Sequence, residues 1–222
     1  LDDGADERLQ RIERDIVLAH ARWTTAATAL TASRRNAGDA LSGSVAALIA
    51  ELGMAGGRFE VALEPGDGNI PDPQGAERVD FLVSANAGQP PRPLRKVASG
   101  GELSRISLAI EVATLGLDAV PTMVFDEVDA GIGGAVAAAV GAKLRALGAP
   151  RQVLCVTHQP QVAASGHAQY RVSKAAADGM TQSSVTLLDA EGRVGEIARM
   201  LGGAEVTDEA RAAASRLLTE NM

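Results

Sequence analysis

Two short apolar runs end in titratable residues, and a helical stretch separates them. Pro121-Thr122-Met123-Val124-Phe125 runs into Asp126-Glu127, and Gln152-Val153-Leu154-Cys155-Val156-Thr157 runs into His158. Apolar runs of this length, bounded by Pro or charge, read as buried strands of a parallel sheet. Parallel strands need a crossover, and residues 135–147 read as a helix that supplies one. The order predicts an α/β fold with parallel core strands. In open α/β sheets, ligands collect at the carboxyl ends of the strands. Asp126, Glu127 and His158 all fall at that edge.

Ahead of the first run stands Val97-Ala98-Ser99-Gly100-Gly101-Glu102-Leu103-Ser104-Arg105. Ser99-Gly100-Gly101 is a turn almost without side chains. Leu103, Ile106, Ile110, Ala113 and Leu117 follow at the spacing of one helix face, which predicts a helix over 101–117. The turn thus offers bare N–H groups at the positive end of a helix, an arrangement that suits a phosphate. The same residues also suit an ordinary N-cap.

Residues 1–52 read as helix. Leu9, Ile12, Ile16, Ala19, Trp23, Ala26 and Leu30 alternate spacings of three and four, an a/d seam over about three heptads. Such a seam needs a partner helix from elsewhere, or the helix lies on its own globule. Leu41, Val45, Leu48 and Leu52 continue the pattern with a register shift, and Gly53, Gly56 and Gly57 end it. Phe59, Val61 and Leu63 alternate with polar residues, as do Val79, Phe81 and Val83. They predict an antiparallel hairpin around a Pro- and Gly-rich loop at 65–75. Residues 88–93 read as extended, and Arg92, Arg95 and Lys96 as a small basic cluster in a solvated loop. Strands are predicted at 170–173 and 184–188. Helices are predicted at 194–201 and 208–219, the last capped by Thr207.

Composition narrows the function classes. A net charge of −7 argues against a broadly basic nucleic-acid surface, though not against a local patch. The single cysteine, Cys155, excludes an intrachain disulfide and fits a reducing compartment. No run is long enough to span a bilayer, and no signal peptide is evident. The chain begins with Leu1, which reads as a piece of something longer.

Adjacent strand residues point to opposite faces, so Asp126 and Glu127 have different jobs. Asp126 can hold a hydrated Mg²⁺, which wants oxygen ligands. Glu127, where the chain turns, can deprotonate an attacking water. His158 can donate to a transferring phosphoryl oxygen. Each residue alone also fits an ordinary turn or helix start; three on one edge after a phosphate-type turn are harder to dismiss.

These motifs resemble those of ABC-type ATPases. Ser99-Gly100-Gly101-Glu102 is similar to the signature motif, and Thr122 to Glu127 to the Walker B strand. Val128-Asp129-Ala130 is similar to the D-loop, and His158 to the switch histidine. The heptad helix points to the SMC-like branch. The strings 96–105, 125–134 and 156–163 closely resemble the RecN group of bacterial DNA-repair proteins, and the resemblance covers about residues 40–205.

That resemblance implies the C-terminal lobe of a P-loop ATPase head used in recombinational repair of DNA double-strand breaks. Residues 1–52 would be the base of a returning coiled-coil arm and 53–222 the lobe itself. Two heads would sandwich two ATP molecules. Ser99, Gly100, Gly101 and Glu102 would meet the γ-phosphate held by the opposite head. Asp126 would support Mg²⁺, Glu127 would be general base, His158 would sense the γ-phosphate, and Asp129 would couple the two sites. The implied partners are DNA, a second head and an N-terminal half. The implied location is the bacterial cytoplasm, at the nucleoid, without a membrane.

One departure bears on activity. A Walker A loop needs Gly-Lys followed by Ser or Thr. The three lysines, Lys96, Lys143 and Lys174, follow Arg95, Ala142 and Ser173. The chain therefore lacks that loop and is expected to be inactive until a Walker A half joins it. The alternatives are a head fragment of another SMC-like ATPase, or a non-catalytic DNA clamp or scaffold. A scaffold would need none of Asp126, Glu127 and His158.

Overall fold

The computed structural model describes residues 3–67, 70–97, 99–117, 120–177, 180–203 and 206–221. Residues 1 and 2 of the predicted first helix, 68 and 69 of the predicted loop, and Ala98 of the glycine-turn motif lie outside the described residues.

Helix α1 runs Asp3–Glu51, about 74 Å at 1.5 Å per residue. Its two ends live in different surroundings. Leu9, Ile12, Ile16 and Leu30 of the heptad seam are exposed. Val45 and Ile49, with Leu52 just past the helix, are fully buried. The helix stops where Gly53 turns left-handed at φ 86°. Met54 N donates to Ile49 O (3.0 Å) and Gly53 N to Ala50 O (3.4 Å), the two bonds that close an αL helix end. Met54 is buried in the same cluster as Ile49, which secures the turn.

Strands β1 (Arg58–Pro65) and β2 (Glu77–Ser84) form the predicted antiparallel hairpin, in register from Arg58↔Ser84 to Pro65↔Glu77. Phe59 and Phe81 pack ring to ring at 5.5 Å. Polar ties hold the hairpin on α1. Arg34 pairs with Glu77 at 3.3 Å, Thr31 Oγ1 donates to Glu77 Oε2 at 2.7 Å, and Trp23 Nε1 donates to Asp72 O at 2.8 Å. Strand β3 (Arg92–Pro93) adds to β2, and a 3-10 turn over Leu94–Lys96 leads on. Arg95 in that turn is not simply solvated: it pairs with Asp80 at 2.9 Å.

Helix α2 covers Gly100–Ala113, shorter than the predicted 101–117. Thr114 ends it, its hydroxyl donating to Ile110 O at 2.8 Å, and Gly116 follows at φ 92°. Of the predicted face, Ile106 is buried and Ile110 and Ala113 pack against the core, but the buried face is broader and omits the two ends. It carries Gly101, Arg105, Ile106, Leu108 and Ala109, while Leu103 is 37% and Leu117 83% exposed. Strand β4 (Thr122–Phe125), helix α3 (Gly134–Leu147) and strand β5 (Gln152–Cys155) form the predicted crossover unit. The strands are parallel, Thr122↔Gln152 to Phe125↔Cys155.

The strands were expected to be buried on both faces, and only one face is. Phe125 is buried, and Met123, Val153 and Cys155 pack against the core. On the other side Val124, Leu154 and Val156 are 68%, 46% and 62% exposed. Elements covering one face only explain the difference: α1, α2 and α3 all contribute to the core on the inner side.

Helix α4 (Pro160–Ser165) starts on a proline at its first position, where the missing N–H costs nothing. Strands β6 (Tyr170–Ala177) and β7 (Met180–Leu187) pair antiparallel as a sheet of their own, longer than predicted. Helices α5 (Ala190–Gly202) and α6 (Asp208–Glu220) close the chain, and Thr207 caps α6 by accepting from Ala210 N at 3.2 Å. Ala163, Ala164, Ile197, Ala198 and Ala214 make a second, smaller core. Among the described residues no helix is long and apolar enough to cross a membrane.

Candidate functional site

The site forms where the start of α2 meets the ends of β4 and β5. Ser99 is extended and caps α2, its Oγ accepting from Glu102 N at 3.4 Å. The N-cap reading and the phosphate reading are therefore compatible: the hydroxyl engages one amide, and the glycines add no side chain over the others. The glycines also make room behind the turn. A Cβ on Gly100 would run into the Glu127 carboxylate. A Cβ on Gly101 would lie 2.9 Å from Ala130 Cβ and 3.2 Å from Glu127 O. The turn and the end of β4 are thus in direct contact within one chain.

Asp126 and Glu127 are both exposed. Asp126 Oδ1 accepts from Glu127 N at 2.9 Å. That bond forms as the chain leaves the strand, and Glu127 takes φ 57°, the only positive φ of a non-glycine among the described residues. Such a conformation costs about 1–3 kcal/mol and persists where surroundings over-determine it. The tight turn closes with Ala130 N donating to Glu127 O at 3.0 Å. From α2, Ser104 Oγ donates to Asp126 O at 2.7 Å and Arg105 Nη1 to Ala130 O at 2.9 Å.

Asp129 is 1% exposed. Its Oδ2 accepts from the Thr157 hydroxyl, from His158 N at 2.9 Å and from Gln159 N at 3.2 Å. His158 Nδ1 lies 3.4 Å from the same oxygen. A single buried carboxylate thereby fixes the chain at the end of β5. The His158 ring stays 69% exposed at the strand-end surface. Gln159 Nε2 donates to Ile132 O at 2.8 Å and stands 3.4 Å from His158 Nε2. Beneath the strand ends, burial and the carboxylates of Asp129 and Asp126 push the Cys155 thiol up to about 12.

The fold brings Ser99, Gly100, Gly101, Asp126, Glu127, Asp129 and His158 to one edge. Glu102 sits in the first turn of α2, where an acid favours the helix dipole. Two contributors escaped the sequence reading, Ser104 and Arg105. A polar residue on a predicted helix reads as solvent-facing. The only signal was that Arg105 lies next to Ile106 and four residues past Gly101, on the stripe that the close contact with Ala130 buries.

Asp126 presents one exposed carboxylate, and no group of three His, Cys, Asp or Glu stands ready to hold a metal among the described residues. This donor set fits Mg²⁺ rather than a protein-caged ion, because Mg²⁺ commonly takes one or two carboxylates and completes its shell with phosphate and water.

No protein-family model matches the chain. It is 60% identical over 215 residues to the DNA repair protein RecN of Xylella fastidiosa, a match covering 97% of this chain and 39% of that protein. It is 43% identical over 216 residues to DNA repair protein RecN of Vibrio cholerae (97% and 39%) and 46% identical over 194 residues to that of Deinococcus radiodurans (86% and 33%). The chain spans about two fifths of the length of the first two. Among solved structures it is similar to the Smc head domain with a coiled coil and joint from Pyrococcus yayanosii. The TM-score is 0.56 and the identity 21%, covering 86% of this chain and 34% of that one. The Smc head with an extended coiled coil from Pyrococcus furiosus gives 0.54 and 20%, covering 87% and 45%. At these identities the likeness speaks to fold, and it supports the α/β head-lobe architecture. The resemblance to the RecN group read from the motifs is borne out.

Proposed function

We propose, from this RecN kinship, that the chain is the C-terminal lobe of an ATP-hydrolysing head that acts in recombinational repair of DNA double-strand breaks. The observation that carries the proposal is the contact between the Ser99-Gly100-Gly101 turn and Glu127. A phosphate-type helix start and a candidate base share one surface, with His158 at the next strand end.

In this reading residues 1–52 are the base of a coiled-coil arm and 53–222 the lobe. The rest of the head, carrying the Walker A loop, comes from an N-terminal half. Its natural seat is the bare face of β4 and β5, because parallel strands are seldom left open on one side. The exposed heptad seam of α1 similarly awaits a partner helix. Two completed heads pair around two ATP molecules and work on DNA in the bacterial cytoplasm, at the nucleoid.

Each residue has a role its position suits. Ser99, Gly100 and Gly101 offer N–H groups to the γ-phosphate held by the opposite head. Asp126 holds Mg²⁺, which neutralises phosphate charge when bound. Glu127 orients and deprotonates the attacking water, and His158 donates to the transferring phosphoryl group. Asp129 joins the two strand ends and couples the sites.

The test is steady-state ATP hydrolysis, with and without DNA, by the chain alone and then mixed with a separately made N-terminal half. A silent chain and an active mixture are expected. Hydrolysis by the chain alone would overturn the split-head reading. In the complete protein, Glu127→Gln should lower kcat by roughly 10²–10⁴-fold while ATP still binds.

A further inference from the structure

Arg105 is the one charged residue on the buried face of α2, at 7% exposure. A buried guanidinium is costly without a carboxylate beside it. Among the described residues no carboxylate lies within ion-pair distance of it. Burial pulls its pKa below the usual value, and Glu102 only partly opposes this. Its Nε is enclosed without an acceptor, and the hydrogen bond it makes goes to a backbone carbonyl, Ala130 O. A leucine or methionine would fill the space more cheaply. The charge therefore calls for a reason other than packing.

The neighbouring residue supplies the context. Ser104 holds Asp126 O at 2.7 Å, and Arg105 holds Ala130 O at 2.9 Å. Consecutive residues of one helix thus grip both ends of a five-residue segment. Between those ends, directly after Asp126, is Glu127, in the left-handed backbone region at φ 57°. Within the segment, Asp126 Oδ1 and the Ala130 N–H shape the turn and Asp129 ties it to β5, but the two bonds from Ser104 and Arg105 are the side-chain ties that fix it to α2.

We infer that Arg105 is a positioning residue: together with Ser104 it locks Asp126–Ala130 onto the first turns of α2, so that the Glu127 carboxylate and the Ser99-Gly100-Gly101 turn move as one body. The inference rests on the functional reading above and deepens it. The turn faces the nucleotide of the opposite head, whereas Glu127 serves the nucleotide of its own. A rigid link between them makes each head's base report on engagement at the other site.

The experiment uses the complete protein and three variants, Arg105→Met, Ser104→Ala and Glu127→Gln. Each is measured for ATP dissociation constant, for kcat per bound nucleotide at saturation, for the Hill coefficient in ATP and for melting temperature. Arg105→Met is expected to lower kcat about tenfold or more, flatten the ATP cooperativity and leave the dissociation constant within about twofold. Ser104→Ala, at the edge of the core, is expected to do the same more mildly. A merely structural role would lower the melting temperature and leave kcat per bound nucleotide and the Hill coefficient alone; that result overturns the inference. If Arg105→Met does not fold, Ser104→Ala decides: lowered kcat with normal binding supports the clamp, and unchanged kcat overturns it. Normal turnover by Glu127→Gln would sink the functional reading itself. A silent Glu127→Gln beside a normal Arg105→Met would sink only the clamp.

Discussion

The Glu127 carboxylate fills the space where a Cβ on Gly100 would stand. What yields in Gly100→Ala is the far end of a flexible side chain, so stability should fall by less than about 1 kcal/mol. At Gly101 the obstacles are Ala130 Cβ at 2.9 Å and two backbone carbonyls at 3.2 and 3.3 Å. Overpacking against backbone costs about 1–3 kcal/mol. Urea unfolding should therefore separate the two substitutions clearly, Gly101→Ala being the more damaging. Equal midpoints would mean that the turn and the β4 end are not in contact.

Much of this site was legible because its parts follow chain-local rules. A Ser-Gly-Gly start, an apolar run ending in Asp126-Glu127 and another ending in His158 each announce a helix start or a strand end. The length of α2 was misread since Thr114 and Gly116 end the helix while the apolar spacing continues to Leu117. The role of Arg105 was hidden for a different reason. Its burial accompanies the close approach of Gly101 to Ala130, a tertiary contact that adds Gly101 and Arg105 to the inner face beside Ile106. The open face of β4 and β5 likewise depends on what covers the strands, which an apolar run cannot specify.

Asp129 is expected to matter to the fold before it matters to chemistry. Asp129→Ala would leave the Thr157 hydroxyl and the His158 and Gln159 amides without their acceptor. Hydrogen bonds to a charged acceptor are worth about 1.5–3 kcal/mol each, and orphaned donors add to the loss. A total of about 4 kcal/mol or more is expected, with Asp129→Asn milder because its amide oxygen still accepts. Amide exchange at His158 and Gln159 is the local check: protection there should collapse in Asp129→Ala ahead of the rest of the core.

The tie between α1 and the hairpin rests largely on Glu77, whose side chain is 6% exposed and meets both Arg34 and Thr31. Glu77→Gln keeps the shape and removes the charge. A loss of about 1–3 kcal/mol is expected, read from thermal melts. It should persist at high salt, because a pair this enclosed is screened less than a surface pair. A salt-erased difference would place the pair in solvent.

Cys155 gives a prediction with a definite pH window. Its thiol sits near 12 in the folded chain against an ordinary value of 9.0, chiefly through burial and then through Asp129 and Asp126. Between those values the unfolded chain has lost the proton and the folded chain keeps it. The unfolded state binds fewer protons there, so stability falls as pH rises through the window, by at most about 1.4 kcal/mol per unit. Well below 9, from about pH 7 down, the thiol is neutral in both states and contributes no slope. Cys155→Ala should flatten the decline between pH 9 and the upper limit of measurement. Lysine and tyrosine ionisation, common to both proteins, cancels in the difference. The same shift predicts slow labelling: at pH 8.5 a thiol reagent should modify the native chain roughly 10²–10³-fold more slowly than the urea-unfolded one, in proportion to the thiolate present. Native labelling at the unfolded rate, with an unaltered pH profile in Cys155→Ala, would show that the strand beneath the site opens freely to water.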